Sequence, residues 1–380
     1  MELVLDPESS ILIWQGLFVT ACAFQLFYLV FIQFRLVFYK SKSGVVAQSD
    51  DGVSVVMAAR NEYDNLLVNL PAVLEQDYPN FEVIVVNDGS WDDSMVLLRE
   101  YQVLYPKLHV INVAENEQYD GNKKYAVTLG LKAARFERVL LTDADCKPSS
   151  RHWIRHMVGS VKADGDIVLG HSPLGRSAGF LNAFIRFDNL STAINYLGFA
   201  LAGIPYMGVG RNLSYTKGLF FEVGGFKKHY SLASGDDDLY VNEVARRGNT
   251  VVCLHQDAQM HSAAKQSWKD YWWQKRRHLT TGWRYRWLHR LLLGMQPLSM
   301  VLFFVTSISL LCRDVWVHAV VAALVVRLLL QLTIFKRSSH WLGQKDLVWL
   351  APILEPVLVL FTTGVHFANA SSKPTRWKKI

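Results

Sequence analysis

From Ile11 to Phe38 the chain carries no charge until Arg35. That is more apolar sequence than a soluble core helix needs, and enough to cross a bilayer, for which about 20 residues suffice. Lys40 and Lys42 follow it. A cleaved leader would have a shorter apolar centre, basic residues before it and small residues after it. Here Glu2, Asp6 and Glu8 come first. The pattern predicts an uncleaved anchor over 10–39, with residues 1–9 extracytoplasmic. Three more apolar stretches close the chain, at Leu291–Leu311, Val315–Phe335 and Leu347–Ala368. They predict crossings at 291–312 and 315–335, a crossing or re-entrant segment at 346–369, and a basic tail over 370–380.

Charge supports this reading. The chain has 380 residues, 51% of them hydrophobic, and a net charge of +7. Much of the basic excess flanks apolar stretches, which fits membrane orientation better than nucleic-acid binding, so no nucleic-acid partner is expected. One conflict stands. Four crossings with the N-terminus outside place Lys336, Arg337 and Lys345 inside, but the tail Lys373–Ile380 outside, against the charge rule. Pro352, Glu355 and Pro356 in the last stretch would allow it to break. If the last two stretches run antiparallel, Arg327 and Glu355 share a depth of roughly 12 Å and are expected to pair. Cys22, Cys146, Cys253 and Cys312 are scattered without zinc-ligand spacing, so free thiols are expected.

Residues 50–262 read as α/β. Val53–Ala59, Phe81–Val86, Leu108–Val113 and Val139–Leu141 have the apolar runs of buried strands. Helical spacing predicts helices through Leu66–Leu74, Ser94–Tyr105 and Tyr125–Ala134. Alternation of this kind predicts a parallel sheet covered on both faces, with ligands bound beyond the carboxyl ends of the strands. Residues 263–290 follow, basic and crowded with Trp268, Tyr271, Trp272, Trp273, Trp283, Tyr285 and Trp287. Such a mixture suits the headgroup layer.

Polar groups gather where ligands are expected. Arg60-Asn61-Glu62 follows the first strand and Asn87-Asp88-Gly89-Ser90 the second. Either alone could be a turn and helix cap. Asp143-Ala144-Asp145 follows the fourth strand, and two carboxylates so spaced can hold a hard cation that also takes diphosphate oxygens. Gly235-Asp236-Asp237-Asp238-Leu239 precedes a predicted helix at Tyr240–Arg247, whose dipole tolerates the acidic run, and one of these aspartates could act as a general base. Gln274-Lys275-Arg276-Arg277-His278 could neutralise a diphosphate leaving group. His261 is a further candidate metal or diphosphate contact.

In order and spacing these motifs resemble the family 2 inverting glycosyltransferases, which include cellulose, chitin and hyaluronan synthases. The resemblance covers roughly Val53–Gly282 and the flanking anchors. It implies a nucleotide-diphospho-sugar transferase domain of the GT-A type, Rossmann-like, flanked by transmembrane helices. By the resemblance, Ala59, Arg60, Glu62, Asp88, Lys123, Asp143 and Asp145 bind the donor. Asp143 and Asp145 match the DxD motif that holds nucleotide and metal, here Mg2+ or Mn2+. Gly208–Leu213 with Gly224-Gly225-Phe226 resembles the acceptor-side loop, which brings in Gly208 and Gly210. The base falls on Asp237 if Gly235–Asp237 is read as the hyaluronan-synthase GDD, and on Asp236 if the run is read as E-D-x-D-L. Asp237 is the preferred match. Gln274, Arg277 and His278 correspond to a QxxRW motif, with His278 in place of the tryptophan. That replacement, with few spans, argues against polymer extrusion.

The reading is a metal-dependent inverting transfer from a nucleotide diphosphate donor, most commonly a UDP-sugar, to a membrane-proximal or lipid-linked glycan. Transfer onto a polyprenyl phosphate is the alternative, and a non-catalytic nucleotide-sugar binding protein a remote one. The expected location is the inner (plasma) membrane of a bacterium, among membrane lipids, with the catalytic domain cytosolic. On that orientation the N-x-S sequences at Asn189 and Asn212 stay unglycosylated.

Overall fold

A computed structural model describes residues 7–40, 51–113, 123–161, 167–232, 234–372 and 374. Glu2, Asp6, Lys42 and the tail residues Lys373 and Thr375–Ile380 lie outside these. Helix α1 (Pro7–Phe27) continues through a π turn (Tyr28–Ile32) and a 3-10 turn (Gln33–Phe38). The α/β domain then begins with β1 (Val53–Ala59), α2 (Tyr63–Leu74), β2 (Phe81–Asp88), α3 (Ser94–Leu104), β3 (Leu108–Val113), α4 (Lys123–Ala133) and β4 (Arg138–Asp143). It continues with β5 (Cys146–Pro148), α5 (Trp153–Gly159), β6 (Ile167–Leu169), α6 (Phe180–Leu201), β7 (Leu213–Thr216) and α7 (Lys217–Glu222). Next come α8 (Asp238–Val244), β8 (Thr250–Val252), β9 (Met260–Ser262) and α9 (Trp268–His278). Three long helices follow, α10 (Trp287–Cys312), α11 (Val317–Leu342) and α12 (Ala351–Ser371).

Alternate residues of the central strands point to opposite faces, so each strand feeds two cores. Val56, Ala58, Ile84, Val86, Val139 and Leu141 pack with Ala126, Val127 and Leu131 of α4 and with α6. Val55, Met57, Val83, Val85 and Leu140 pack with Leu66, Leu70 and Val73 of α2, Leu97 and Leu98 of α3, and Trp153 of α5. The sheet order is β3-β2-β1-β4-β7-β6-β8. β1 to β4 are parallel, as expected. The parallel sheet expected from the first four strands is extended by β7, which runs antiparallel to both β4 and β6. The chain leaves α6 and crosses the carboxyl ends of the strands at Gly208–Asn212, so the next strand must run back. Asn212 itself is fully buried and bonded to Trp153, His171 and Ala258, which bars it from glycosylation on either side of a membrane.

Among the described residues four segments are long and apolar enough to cross a membrane: Glu8–Phe38, Trp287–Cys312, Val317–Leu342 and Lys345–Ser371. α1 and α10 lie antiparallel, with Phe18 stacked on Phe303 at 5.9 Å and Gln25 Nε2 donating to Ser299 Oγ at 2.9 Å. α11 runs past Phe335 to Leu342 and ends on the α/β domain, Trp341 meeting Tyr39 edge to face. The segment 263–290 holds α9, a 3-10 turn and the first turn of α10. Its aromatics divide. Trp268, Trp283 and Trp287 are exposed, while Tyr271 is core and gives its hydroxyl to Asp188.

Arg327 and Glu355 pair, Nη2 to Oε2 at 2.7 Å. Gln25 accepts from Arg327 Nε at 3.0 Å, and Gln331 donates to the same glutamate oxygen at 2.7 Å. Removing one partner of a buried pair typically costs about 3–5 kcal/mol. Arg327→Glu or Glu355→Arg alone should lower the yield of folded protein, read by gel filtration in detergent. The double exchange should restore most of it, and no restoration would argue against a stabilising pair.

Candidate active site

The loops after β1 and β2 are tied together. Asn61 adopts a φ of 51°, a region asparagine tolerates better than most residues. Its carboxamide oxygen accepts from the Trp91 amide, and its own amide donates to Ser90 Oγ, both at 2.9 Å. The Glu62 amide donates to Ser94 Oγ at 3.1 Å. This brings Arg60 to the buried Asp88, Nη1 lying 3.9 Å from Oδ2. Ala59 sits at the end of β1. Its methyl is fully buried in the core, so any donor contact it makes runs through the backbone.

Asp143 ends β4. Ala144 turns inward and its carbonyl accepts from Asn69 Nδ2 at 3.1 Å. The alternation leaves Asp143 and Asp145 half-buried on either side of it. Asp145 accepts from the Cys146 thiol at 3.3 Å. Burial, followed by that carboxylate, pushes the Cys146 thiol well up, so it stays protonated.

α4 begins with two lysines of different use. Lys123 Nζ bridges Asp143 Oδ1 at 2.8 Å and Asp236 Oδ2 at 2.9 Å. Burial opposes its charge, but Asp143, Asp236 and Asp237 outweigh burial and hold the ammonium well above its ordinary range. Lys124 is buried and donates to the carbonyls of Leu232 and Ser234, each at 2.6 Å. It pins the backbone that enters the acidic run. Gly235 makes that entry at a φ of 104°, which favours glycine.

The three aspartates diverge. Burial pushes Asp236 up, but Lys123 outweighs it and holds the carboxyl down to about 2. Asp237 caps α8. Its Oδ2 accepts from the Gly210 amide and its Oδ1 from the Asp238 amide, both at 2.7 Å. Burial, then the charges of Asp236 and Asp238, push Asp237 up to about 7. Asp238 faces away from Gly210 and accepts from the hydroxyls of Thr281 and, at 2.7 Å, Tyr285. A Cβ at Gly210 would lie 3.4 Å from Asp237 Oδ2, so the loop approaches this closely because residue 210 is glycine. Gly208 faces differently: a Cβ there would lie 3.0 Å from Leu169 and Leu213, which places it against the core.

α9 supplies the remaining side. Gln274 is half-buried. Arg277 Nη2 lies 3.3 Å from His278 Nε2, and the Arg277 charge also bears on Asp236 and Asp237. The His278 side chain reaches solvent, but the protein packed around it, then the charges of Arg277, Lys275 and Arg211, push its imidazole below the ordinary range. Arg211, Lys124 and Thr281 have no role in the sequence reading, and Tyr285 entered it only as an interfacial aromatic, whereas its hydroxyl donates to Asp238. Only the position of Arg211 beside Gly210 could have flagged it.

Asp143 and Asp145 offer half-buried oxygen donors at the carboxyl end of β4, with a lysine to balance one of them. That donor set suits a hard divalent cation completed by diphosphate oxygens. His261 is exposed on β9, paired with Lys147, and forms no group with Asp143 and Asp145 whose ligand atoms lie within 4.8 Å. Among the described residues the group that does meet that distance is His156, His255 and Asp257. There the two rings stack at 3.7 Å, and His255 Nδ1 already accepts from the Asp257 amide as a turn cap.

Residues 54–207 match the sequence family described as Glycosyl transferase family 2. Glycosyltransferase AglE of Haloferax volcanii is 28% identical over 222 residues, 56% of this chain and 67% of that protein. Poly-beta-1,6-N-acetyl-D-glucosamine synthase of Staphylococcus epidermidis is 33% identical over 111 residues, 29% of this chain and 25% of the synthase. The chain thus aligns with only about a quarter of that synthase's length. The mannosyltransferase PcManGT of Pyrobaculum calidifontis, solved with GDP-Man and Mn2+, shares the fold. Its TM-score is 0.57 at 17% identity, covering 90% of this chain and 97% of that one. Strand order and sequence agree over residues 54–207, the part of the chain that matches glycosyl transferase family 2.

Proposed function

We propose that the chain transfers a sugar, with inversion, from a nucleotide diphosphate donor to a membrane-proximal or lipid-linked glycan at the cytosolic face. A UDP-sugar is the first donor to try. The observation that carries this reading is the division of labour in one acidic run. Asp236 is a fixed counter-ion to Lys123, Asp238 is consumed by two hydroxyls, and Asp237 keeps a proton affinity near neutrality beside Gly210. A general base works best with such an affinity.

In this reading Arg60 and Asp88 receive the nucleoside. Asp143 and Asp145 would hold Mg2+ or Mn2+, which supplies charge neutralisation at the diphosphate. Lys123 and Arg277 add positive charge there as the leaving group departs. Asp237 takes the proton of the acceptor hydroxyl. The hydroxyl oxygen bonds to the anomeric carbon on the face opposite the breaking bond to diphosphate. His278 offers the acceptor a hydrogen-bonding edge where related synthases stack a tryptophan. The relatives named as a glycosyltransferase and a polysaccharide synthase support the reaction class, and the nucleotide sugar and Mn2+ with PcManGT support the donor and metal classes.

Nucleotide release from a panel of nucleotide sugars, by protein purified in detergent, tests the reading. Release should require Mg2+ or Mn2+, and Asp145→Ala should weaken donor binding. Full activity in excess chelator would remove the metal from the reading, and no release from any nucleotide sugar would remove the function.

A further inference from the structure

We propose that α12 does not cross the bilayer. It lies along the boundary of the leaflet that faces the α/β domain, its outer stripe in the acyl chains, and it clamps α9 to the membrane surface. Its 21 residues would span about 31 Å, so length alone would let it cross. Its attachments do not.

Both ends are held by the same domain. At the start, Arg186 of α6 donates from Nε to Gln344 Oε1 at 2.7 Å and from Nη1 to Asp346 Oδ2 at 2.8 Å. At the finish, Arg276 of α9 donates from Nε to Asn369 Oδ1 at 3.0 Å and from Nη2 to the Ala368 carbonyl at 3.2 Å. Asn369 Nδ2 returns a bond to the Arg276 carbonyl at 2.8 Å. Between them, Phe361 stacks on Tyr271 at 5.3 Å and meets Phe184 edge to face at 5.4 Å. α12 therefore runs beside α9, Phe361 against Trp272 and Ala368 against Arg276. α6 and α9 belong to the α/β domain, with Phe184, Phe187 and Tyr271 in its core. The other three helices differ in having a packing centre of their own, although the last turns of α11 (Ile334, Phe335, Leu342) also join the domain core. Phe18, Ala21, Phe303, Leu310 and Val320 form a cluster of their own, separate from both cores of that domain.

The surface of α12 fits this placement. Ala351, Leu354, Leu358, Val365 and Asn369 are its buried face. On the opposite side Ile353, Leu360 and Phe367 are 65%, 70% and 73% exposed, with Val357 in the same stripe. A continuous apolar stripe beside three apolar spans is covered by acyl chains. The arrangement also removes the charge conflict, because the sequence after Ser372 contains Lys373, Arg376, Lys378 and Lys379 and would stay on the domain's side. On the proposed function, α12 then sets the height of Gln274, Arg277 and His278 above the bilayer, which suits an acceptor presented in the headgroup plane.

The topology is tested without any activity readout, so it can fail independently of the proposed function. Nitroxides are placed singly at Ile353, Leu360 and Phe367 of the full chain in lipid bilayers. Their depth is read from power saturation with oxygen and a nickel chelate. All three should lie within a few ångströms of one depth. A crossing helix would spread them over about 21 Å and overturn the proposal. A second measurement uses single cysteines in a background with the four native cysteines replaced. Ser372→Cys should react with an impermeant maleimide from the same side as Val103→Cys on the α/β domain, and from the side opposite Arg313→Cys at the α10–α11 turn. Labelling of Ser372→Cys together with Arg313→Cys would equally overturn it.

Discussion

Asp237→Asn should stop sugar transfer and leave donor binding nearly intact. The substituted amide keeps the shape of the carboxylate, and its one carbonyl oxygen can still accept from the Gly210 amide while the Asp238 amide loses its side-chain cap, a cost of about 1 kcal/mol to α8. What is lost is the proton acceptor, and removing a positioned general base typically costs about 10²–10⁴-fold in rate. Donor affinity by calorimetry and transfer rate at saturating acceptor form the paired measurement. The wild-type rate should also depend on pH in a stated direction. Asp237 is raised to about 7, and only its ionised form can take a proton. The rate should therefore rise about tenfold per pH unit below that value and level off above it, while Asp237→Asn shows no such limb. Asp236→Asn is the control. It removes the partner of Lys123 rather than the base, so its loss should appear in donor affinity as well as in rate. If Asp236→Asn is dead and Asp237→Asn is active, the base lies one residue earlier. If both transfer at the wild-type rate, the acceptor arrives already ionised, as a polyprenyl phosphate would.

The sheet and its ligand-binding end were legible because β1, β2 and β4 are buried on both faces and so read as unbroken apolar runs, with polar residues just beyond them. β6, β8 and β9 were not legible, being three residues each, too short to show a period. α6 has 22 residues and was passed over because 13 of them are buried. Buried nearly all round, it shows no clean polar face in sequence. Within the candidate site, the aspartates stood out because consecutive carboxylates are conspicuous. Their separate environments did not, since those depend on Lys123, on Gly210, and on Thr281 with Tyr285, arriving from three distant segments. The Arg327–Glu355 pair was expected from equal depth on crossing helices, and the contact is present. Yet α12 reaches Arg327 from the domain side, so the same contact does not require the crossing from which it was first expected.

Lys123→Ala should slow turnover and, at the same time, tighten metal binding. The two effects pull apart because the ammonium serves one partner at the expense of another. It sits 2.8 Å from Asp143, one of the two carboxylates proposed to hold the metal, and 2.9 Å from Asp236. Toward a departing diphosphate its charge is favourable, and deleting such a preorganised group typically costs about 10²–10³-fold in rate. Toward a divalent cation on Asp143 and Asp145 the same charge is repulsive, so its removal frees Asp143 to bind the cation more strongly. Asp236 is then left buried without its counter-ion, and its carboxyl should rise from the low value that Lys123 enforces. A merely structural lysine would behave otherwise, since its loss would loosen the cleft and weaken metal and turnover together. Mn2+ titration by calorimetry in the presence of nucleoside diphosphate, set beside nucleotide release at saturating Mn2+, separates the two. Tighter Mn2+ with slower release places Lys123 at the leaving group. Weaker Mn2+ with slower release makes it a structural clamp. Release within threefold of wild type would mean that Arg277 alone neutralises the diphosphate. Lys123→Arg sharpens the comparison, because it keeps the charge but moves it further along a longer side chain. It should recover part of the turnover and lose the gain in metal affinity.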